Sequence, residues 1–254
     1  MYLDQMFGLK GKTIVVTGGG RGIGQVVAQG LANAGAEIVV LSRTGGKETV
    51  EKILADGNKA YDVIADITDE LQVIAAFKEV INRSGKIDVV FNNAGITIHK
   101  TTFETSIEEW KEVIDINLMG AYIVSRVAAK LMIEKGIEGS IINNASISAS
   151  IVNIPQMQTP YNVSKAGLIH LTKSLALEWA DYQIRVNAIS PGYIATPMSA
   201  DAPKHLIDAW LPMIPYHRMG KPEELIGAVI YLASQASTYT TGSELIIDGG
   251  YTLI

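Results

Sequence analysis

Seven short runs of apolar and β-branched residues alternate with segments of helical periodicity along this chain, and that alternation restricts the architecture more than any other feature. The runs are Thr13–Thr17, Glu37–Leu41, Tyr61–Ala65, Ile87–Phe91, Ser140–Asn144, Arg185–Ser190 and Glu244–Asp248. Each is nearly continuous in apolar side chains, as a strand covered on both faces must be. Helical patterns lie between them near 22–34, 46–56, 69–83, 107–134, 159–180 and 222–233, with Thr68-Asp69 and Pro222-Glu223-Glu224 as start signals. Strands joined through crossover helices pair in parallel, so the pattern predicts an α/β fold of the Rossmann type with a doubly wound, seven-stranded parallel sheet. No linker, repeat or low-complexity tract divides the 254 residues, and a single domain spanning 1–254 is expected. The alternation lapses over 191–219. Residues 193–219 are read as a substrate lid, in which Met198, Leu206, Trp210, Leu211 and Met213 stand beside Asp201, Lys204 and His205.

Composition narrows the class of function. Apolar residues make up 48% and charged residues 19%, which suits a large buried core. A net charge of -5 without any basic run argues against a nucleic-acid partner, whose phosphates are met by clustered Lys and Arg. The chain has no cysteine, so disulfides and thiolate chemistry are excluded. A reducing, cytoplasmic location is the expectation. The N-terminal stretch lacks the apolar core of a signal peptide, and no uninterrupted apolar run approaches the ~20 residues of a membrane span, so no membrane partner is expected. His99, His170, His205 and His217 have no metal-ligand spacing with carboxylates, and no metal is expected. Trp110 and Trp179 sit at helical positions and read as packing residues.

The first chemical signal is Thr17-Gly18-Gly19-Gly20-Arg21-Gly22-Ile23-Gly24, between an apolar strand and an amphipathic helix. Glycines there let the backbone approach a pyrophosphate, and the amide dipoles of the following helix stabilise its charge. The spacing of Gly18, Gly22 and Gly24 is G-x-x-x-G-x-G, which departs from the common G-x-G-x-x-G fingerprint. The second strand ends at Ser42-Arg43, where an NAD-binding protein would present a carboxylate to the adenosine ribose. Arg43 and Arg21 instead offer two guanidinium groups suited to a 2′-phosphate, so NADP(H) is the expected cofactor. Asp66, closing the third strand, is placed to accept a hydrogen bond from adenine.

The second signal is Tyr161-Asn162-Val163-Ser164-Lys165. A tyrosine and a lysine four residues apart share one helix face. A phenol releases its proton poorly at neutral pH, whereas a nearby ammonium favours the phenolate. Tyr161 therefore reads as a general acid/base tuned by Lys165: it protonates a carbonyl oxygen in reduction and accepts the alcohol proton in oxidation.

Taken together, Thr17–Gly24, Asp66, Asn92-Asn93-Ala94-Gly95, Asn117, Ser146–Ser148, Tyr161 with Lys165, and Pro191-Gly192 followed by Thr196 resemble the short-chain dehydrogenase/reductase family over nearly the whole chain. The resemblance implies a catalytic set of Ser148, Tyr161, Lys165 and Asn117. Ser148 would hydrogen-bond the substrate oxygen, chosen over its rival Ser146 by its spacing from Tyr161; Ala149 replaces a glycine frequent in the family. Asn117 would hold a water linking Lys165 to solvent. The implied cofactor contacts are Gly18, Arg21, Gly22, Ile23, Gly24, Ser42, Arg43, Asp66, Ile67, Asn93, Ala94, Gly95, Tyr161, Lys165, Pro191, Gly192, Ile194 and Thr196, with Lys165 on the nicotinamide ribose and Thr196 on the carboxamide. It also implies a homotetramer paired through helices 107–134 and 159–180.

Within the family, the stretches 153–159, 190–196 and 237–252 are similar to ketose and polyol reductases of the mannitol dehydrogenase and sorbose or xylulose reductase type. A ketose is therefore the leading small carbonyl substrate, with Asn153 and Gln156 read either as partners of its hydroxyl groups or as braces of their loop. The competing readings are a 3-oxoacyl-thioester reductase and a non-catalytic dinucleotide sensor. The first would favour a basic patch at the entrance, where only Lys204 and Lys221 stand. The second would tolerate loss of Tyr161 or Lys165, and both are present.

Overall fold

In the computed structural model, residues 2–196 and 203–253 are described. Seven parallel strands, β1 (Thr13–Thr17), β2 (Glu37–Ser42), β3 (Lys59–Ile64), β4 (Val89–Asn92), β5 (Ser140–Asn144), β6 (Arg185–Pro191) and β7 (Glu244–Ile247), form one sheet in the order β3-β2-β1-β4-β5-β6-β7. The Rossmann-type sheet read from the sequence is thereby present. The chain winds outward from β1 to β3 and then returns to start β4 beside β1. At such a reversal the crossover loops part and leave a crevice above the carboxyl ends of the strands.

Nine helices accompany the strands among the described residues: α1 (Tyr2–Phe7), α2 (Gly22–Asn33), α3 (Lys47–Ala55), α4 (Glu70–Ser84), α5 (Ile107–Ile114), α6 (Gly120–Glu134), α7 (Thr159–Glu178), α8 (Lys204–Trp210) and α9 (Ile226–Ala233). Alternate residues of each strand feed two separate cores, which is why the strands read as unbroken apolar runs. Val15, Val39, Val90 and Ile141 pack with Phe77 of α4, Val124 and Met132 of α6 and Leu175 of α7. Ile14, Val16, Ile38, Val40 and Phe91 pack on the other face with Val27 and Leu31 of α2 and Leu232 of α9. Trp179 is buried in the first core, as a packing residue should be.

The helix expected over 107–134 is continuous but not uniform. Asp115–Met119 forms a π-helical turn between α5 and α6. A π turn widens the helix by one residue and commonly marks a functional position; here it carries Asn117. The segment Ile107–Glu134 has the length and apolarity of a bilayer span, although no uninterrupted apolar run predicted one. Val113, Val124, Ala128 and Met132 of this segment lie in the protein core. Neither α1 nor α8 was expected from the sequence. Within the stretch read as a lid, Met198 and Asp201 lie outside the described residues.

Candidate active site

The crevice at the reversal between β1 and β4 is a cleft of about 860 Å³ whose wall includes most of the residues singled out in the sequence. At one end lies the glycine turn. Gly18 and Gly22 have φ of +63° and +58°, conformations that favour glycine. A Cβ on Gly24 would stand 2.4 Å from Asn93 Nδ2 and 2.5 Å from the Gly18 carbonyl oxygen, so only glycine lets α2 begin this close to the turn. Arg21 precedes α2 without a side-chain cap, which leaves the first-turn amides of a 12-residue helix free of an internal acceptor. Uncapped amides beside glycines suit a pyrophosphate. Asn93 fastens this turn to the sheet: its Nδ2 donates to Thr17 O at 3.0 Å and Gly18 O at 3.2 Å, and its Oδ1 accepts from Asn144 Nδ2 at 3.0 Å.

Ser42, Arg43, Asp66 and Ile67 form the next part of the wall. The Ser42 hydroxyl donates to Gly45 O at 2.8 Å and shapes the loop after β2. Arg43 is largely exposed and lies 3.9 Å from an Asp66 carboxylate oxygen, while the other oxygen of Asp66 accepts from Thr68 N and Thr68 Oγ1. The donor set fits NADP(H): guanidinium groups of Arg21 and Arg43 for the 2′-phosphate, amides of α2 for the pyrophosphate, and Ala94, Gly95, Pro191, Gly192, Ile194 and Thr196 lining the path toward the nicotinamide. Gly24 and Asn117 stand behind the wall rather than on it.

Pro160 opens α7, where its fixed φ suits a first turn and its missing N–H costs nothing, and one turn on the helix aims Tyr161 and Lys165 into the cleft together. Lys165 Nζ lies 5.5 Å from the Tyr161 ring centroid and donates to the Asn144 carbonyl at 2.6 Å. Burial brings Lys165 down from 10.5 to about 8. Burial also raises Tyr161, opposed by a hydrogen bond with Ser146. The ammonium was expected to depress the phenol; desolvation outweighs it, because the phenolate is the form that burial disfavours. A tyrosine held this way is a proton donor at neutral pH.

The hydroxyl beside Tyr161 is that of Ser146, which corrects the choice of Ser148. Ser146 caps a short 3-10 turn, Ile147–Ala149, by accepting from Ser148 N at 3.1 Å. The turn separates the two side chains. Ser148 Oγ accepts from Ser146 Oγ at 3.0 Å and donates to Asn153 Oδ1 at 2.6 Å, away from the phenol. Counting residues back from Tyr161 failed because the loop between this turn and α7 sets its own path. The side chain of Asn117 has a structural task. Its Oδ1 accepts from Ile96 N at 2.8 Å, and its Nδ2 donates to Ile96 O at 2.9 Å and to Ser164 Oγ at 3.0 Å. Both N–H groups are spent, so the side chain braces the loop after β4 against α7.

Beyond Tyr161 the wall is polar and neutral. Asn153, Gln156 and Gln158 line it with Tyr193, Trp210 and His99. Burial lowers the His99 pKa, partly offset by its hydrogen bond to Gln158, so the ring is uncharged at neutral pH. His99 and Gln158 escaped the sequence reading because a lone histidine and a residue before a helix carry no motif. Tyr193 and Trp210, which stack with centroids 4.5 Å apart, sit where the strand–helix alternation lapses. Among the described residues no group of His, Asp or Glu could hold a metal ion.

Comparison with known proteins agrees with this geometry. Residues 18–252 match the family model described as Enoyl-(Acyl carrier protein) reductase. The sorbose reductase SOU1 of Candida albicans is 40% identical over 251 residues, covering 97% of this chain and 89% of its own. The NADP-dependent mannitol dehydrogenase of Alternaria alternata is 42% identical over 255 residues, covering 98% and 95%. The crystal structure of a short-chain type dehydrogenase/reductase from Mycobacterium marinum superposes with a TM-score of 0.97 at 41% identity, over 100% of both chains.

Proposed function

The chain belongs to the short-chain dehydrogenase/reductase family of NADP(H)-dependent oxidoreductases, and from that premise we propose that it interconverts a ketose and the corresponding polyol, with Tyr161 as proton donor and acceptor. The observation that carries this reading is the pairing of the Tyr161 and Ser146 hydroxyls in front of a wall of neutral amides and hydroxyls. Two hydroxyls side by side can donate to one carbonyl oxygen, where negative charge develops as reduction proceeds. Bound NADPH supplies the hydride. Tyr161 delivers its proton to the substrate oxygen, Ser146 hydrogen-bonds that oxygen, and Lys165, still protonated at neutral pH, stabilises the phenolate left behind. Arg21 and Arg43 hold the 2′-phosphate, and the α2 amides hold the pyrophosphate.

Asn153, Gln156 and Gln158 offer hydrogen-bonding groups at the substrate end, a lining suited to several hydroxyl groups and poor for an acyl chain. Among the described residues that line this end beyond Tyr161 there is no Lys or Arg, which gives the 3-oxoacyl-thioester reading no support from a basic wall. We assign residues 203–219 to a cover over this end, from the position of Trp210 on the cleft wall. The proposed assembly is a homotetramer, supported by the exposed apolar side chains of Ile107, Met119 and Val163 on α5, the π turn and α7; sedimentation equilibrium tests it. A cytoplasmic location is proposed from the cysteine-free composition.

The test is NADPH consumption by purified protein with fructose, sorbose, xylulose, 5-ketogluconate and acetoacetyl thioester. Ketose-dependent loss of nicotinamide absorbance supports the reading. Activity with the thioester alone refutes it.

A further inference from the structure

Trp210 ends α8, and its indole nitrogen donates to Gln156 Oε1 at 2.8 Å. An indole N–H has no acceptor capacity, so this bond fixes which end of the Gln156 amide faces Trp210. Gln156 Nε2 must then face Tyr193, and it donates to the Tyr193 hydroxyl at 3.0 Å. Asn153 Nδ2 donates to the same hydroxyl at 3.2 Å. The Tyr193 hydroxyl thus accepts from two amides, and its ring meets the edge of Tyr251, which donates to Met213 Sδ at 3.8 Å. Because Asn153 spends its N–H group on Tyr193, its Oδ1 faces Ser148 and accepts the Ser148 proton at 2.6 Å. Gln158 Nε2 donates to that Oδ1 at 3.0 Å as well, which locks the Asn153 amide from a second side. Ser148 is left as an acceptor, and Ser146 donates to it at 3.0 Å.

These bonds join Trp210 to Ser146 in one continuous series. We propose that Trp210 and Asn153 are positioning residues: through Gln156, Tyr193 and Ser148 they orient the Ser146 hydroxyl toward Tyr161, so that α8 is coupled to the reacting oxygen without touching it. The consequence for Ser146 is specific. Its backbone-facing lone pair accepts from Ser148 N, and its second lone pair stays open to the phenol only while the Ser148 proton is drawn to Asn153. Gln158 Nε2 lies 3.3 Å from Ser148 Oγ and shares its two protons among Ser148, Asn153 and Asn162, which holds this corner together when a substrate oxygen takes the Ser146 proton. Remove Asn153 as acceptor, and Ser148 is no longer held in one rotamer, so the neighbour that fixes the Ser146 side chain beside Tyr161 is lost. Remove the indole N–H, and the amides of Gln156 and Asn153 lose their anchor. Coupled hydrogen bonds of this kind are non-additive when cut at two points.

This inference rests on the reading that Ser146 and Tyr161 meet the substrate oxygen, and a double-mutant cycle separates the two. Trp210→Phe keeps the ring stacked on Tyr193 and removes only the N–H; Asn153→Leu removes the amide. Each single variant is expected to lower kcat for NADPH-dependent carbonyl reduction about tenfold, with the KM for NADPH unchanged. The double variant is expected to fall no more than about twofold further. A purely structural role for α8 would instead raise the ketose KM, lower Tm and leave kcat near normal. Losses that multiply, to about a hundredfold in the double variant, overturn the coupling, as do singles with normal kcat. Ser146→Ala run alongside keeps the premise apart: if it loses activity while the cycle is additive, the coupling alone fails, and if it turns over normally both fail. Circular dichroism and NADPH fluorescence on each variant confirm that the fold and cofactor site persist.

Discussion

Substituting Ser146 and Ser148 in turn distinguishes two hydroxyls that lie 3.0 Å apart and differ in what they face. Ser146→Ala deletes the group that hydrogen-bonds Tyr161 and would meet the substrate oxygen. Loss of one donor to a developing oxyanion lowers kcat by about 10²–10³, equivalent to about 3–4 kcal/mol. Ser148→Ala deletes an acceptor for Ser146 and a donor to Asn153, whose Oδ1 keeps Gln158 Nε2 at 3.0 Å. Its cost is the net worth of an indirect hydrogen bond, about 1.4 kcal/mol, or roughly a tenfold loss of kcat. The two variants should therefore differ by about tenfold or more, with Ser146→Ala the worse. Steady-state NADPH oxidation at saturating ketose measures kcat, and single-turnover mixing confirms that the hydride step itself is affected. A Ser148→Ala enzyme as impaired as Ser146→Ala would refute the assignment, because a group turned away from the phenol cannot carry transition-state stabilisation.

Lys165 falls from 10.5 to about 8 on burial, so the unfolded chain holds its proton to higher pH. The penalty is complete below about pH 8 and disappears as pH rises toward 10.5. Lys165→Met should accordingly raise stability at pH 7 by up to about 3 kcal/mol, reduced by the lost bond to the Asn144 carbonyl, with a gain that shrinks between pH 8 and 10.5. Calorimetry at pH 7 and pH 10 decides this; an equal gain at both would exclude a buried cation. The same titration predicts that wild-type kcat for reduction declines above about pH 8. Arg43→Asp should raise the KM for NADPH at least tenfold and spare NADH, measured as the ratio of the two efficiencies; an unaltered ratio removes Arg43 from 2′-phosphate recognition. Gly24→Ala places a Cβ 2.4 Å from Asn93 Nδ2 and should cost about 1–3 kcal/mol while weakening NADPH binding, read from Tm and fluorescence titration; unchanged affinity would mean the turn relaxes freely.

The sheet, the cofactor turn and the Tyr161–Lys165 pair were legible in the amino-acid order alone, because each rests on local spacing. Continuous apolar strands need two covering layers, and β1 to β7 appear at the expected places with ends shifted by one or two residues. Glycines at 18, 22 and 24 answer to a turn a few residues long, and a four-residue separation fixes a helix face whatever surrounds it. Tertiary structure decided what depends on paths between distant segments. Ser146 rather than Ser148 meets Tyr161 because the loop entering α7 is routed by Asn153, Gln156 and Gln158, whose partners Tyr193 and Trp210 come from more than 30 residues further along. The Asn117 amide braces Ile96 and Ser164 because a π turn carries it there. The rise in the Tyr161 pKa had no sequence signal, since desolvation is a property of everything packed around a group and of none of its neighbours in the chain.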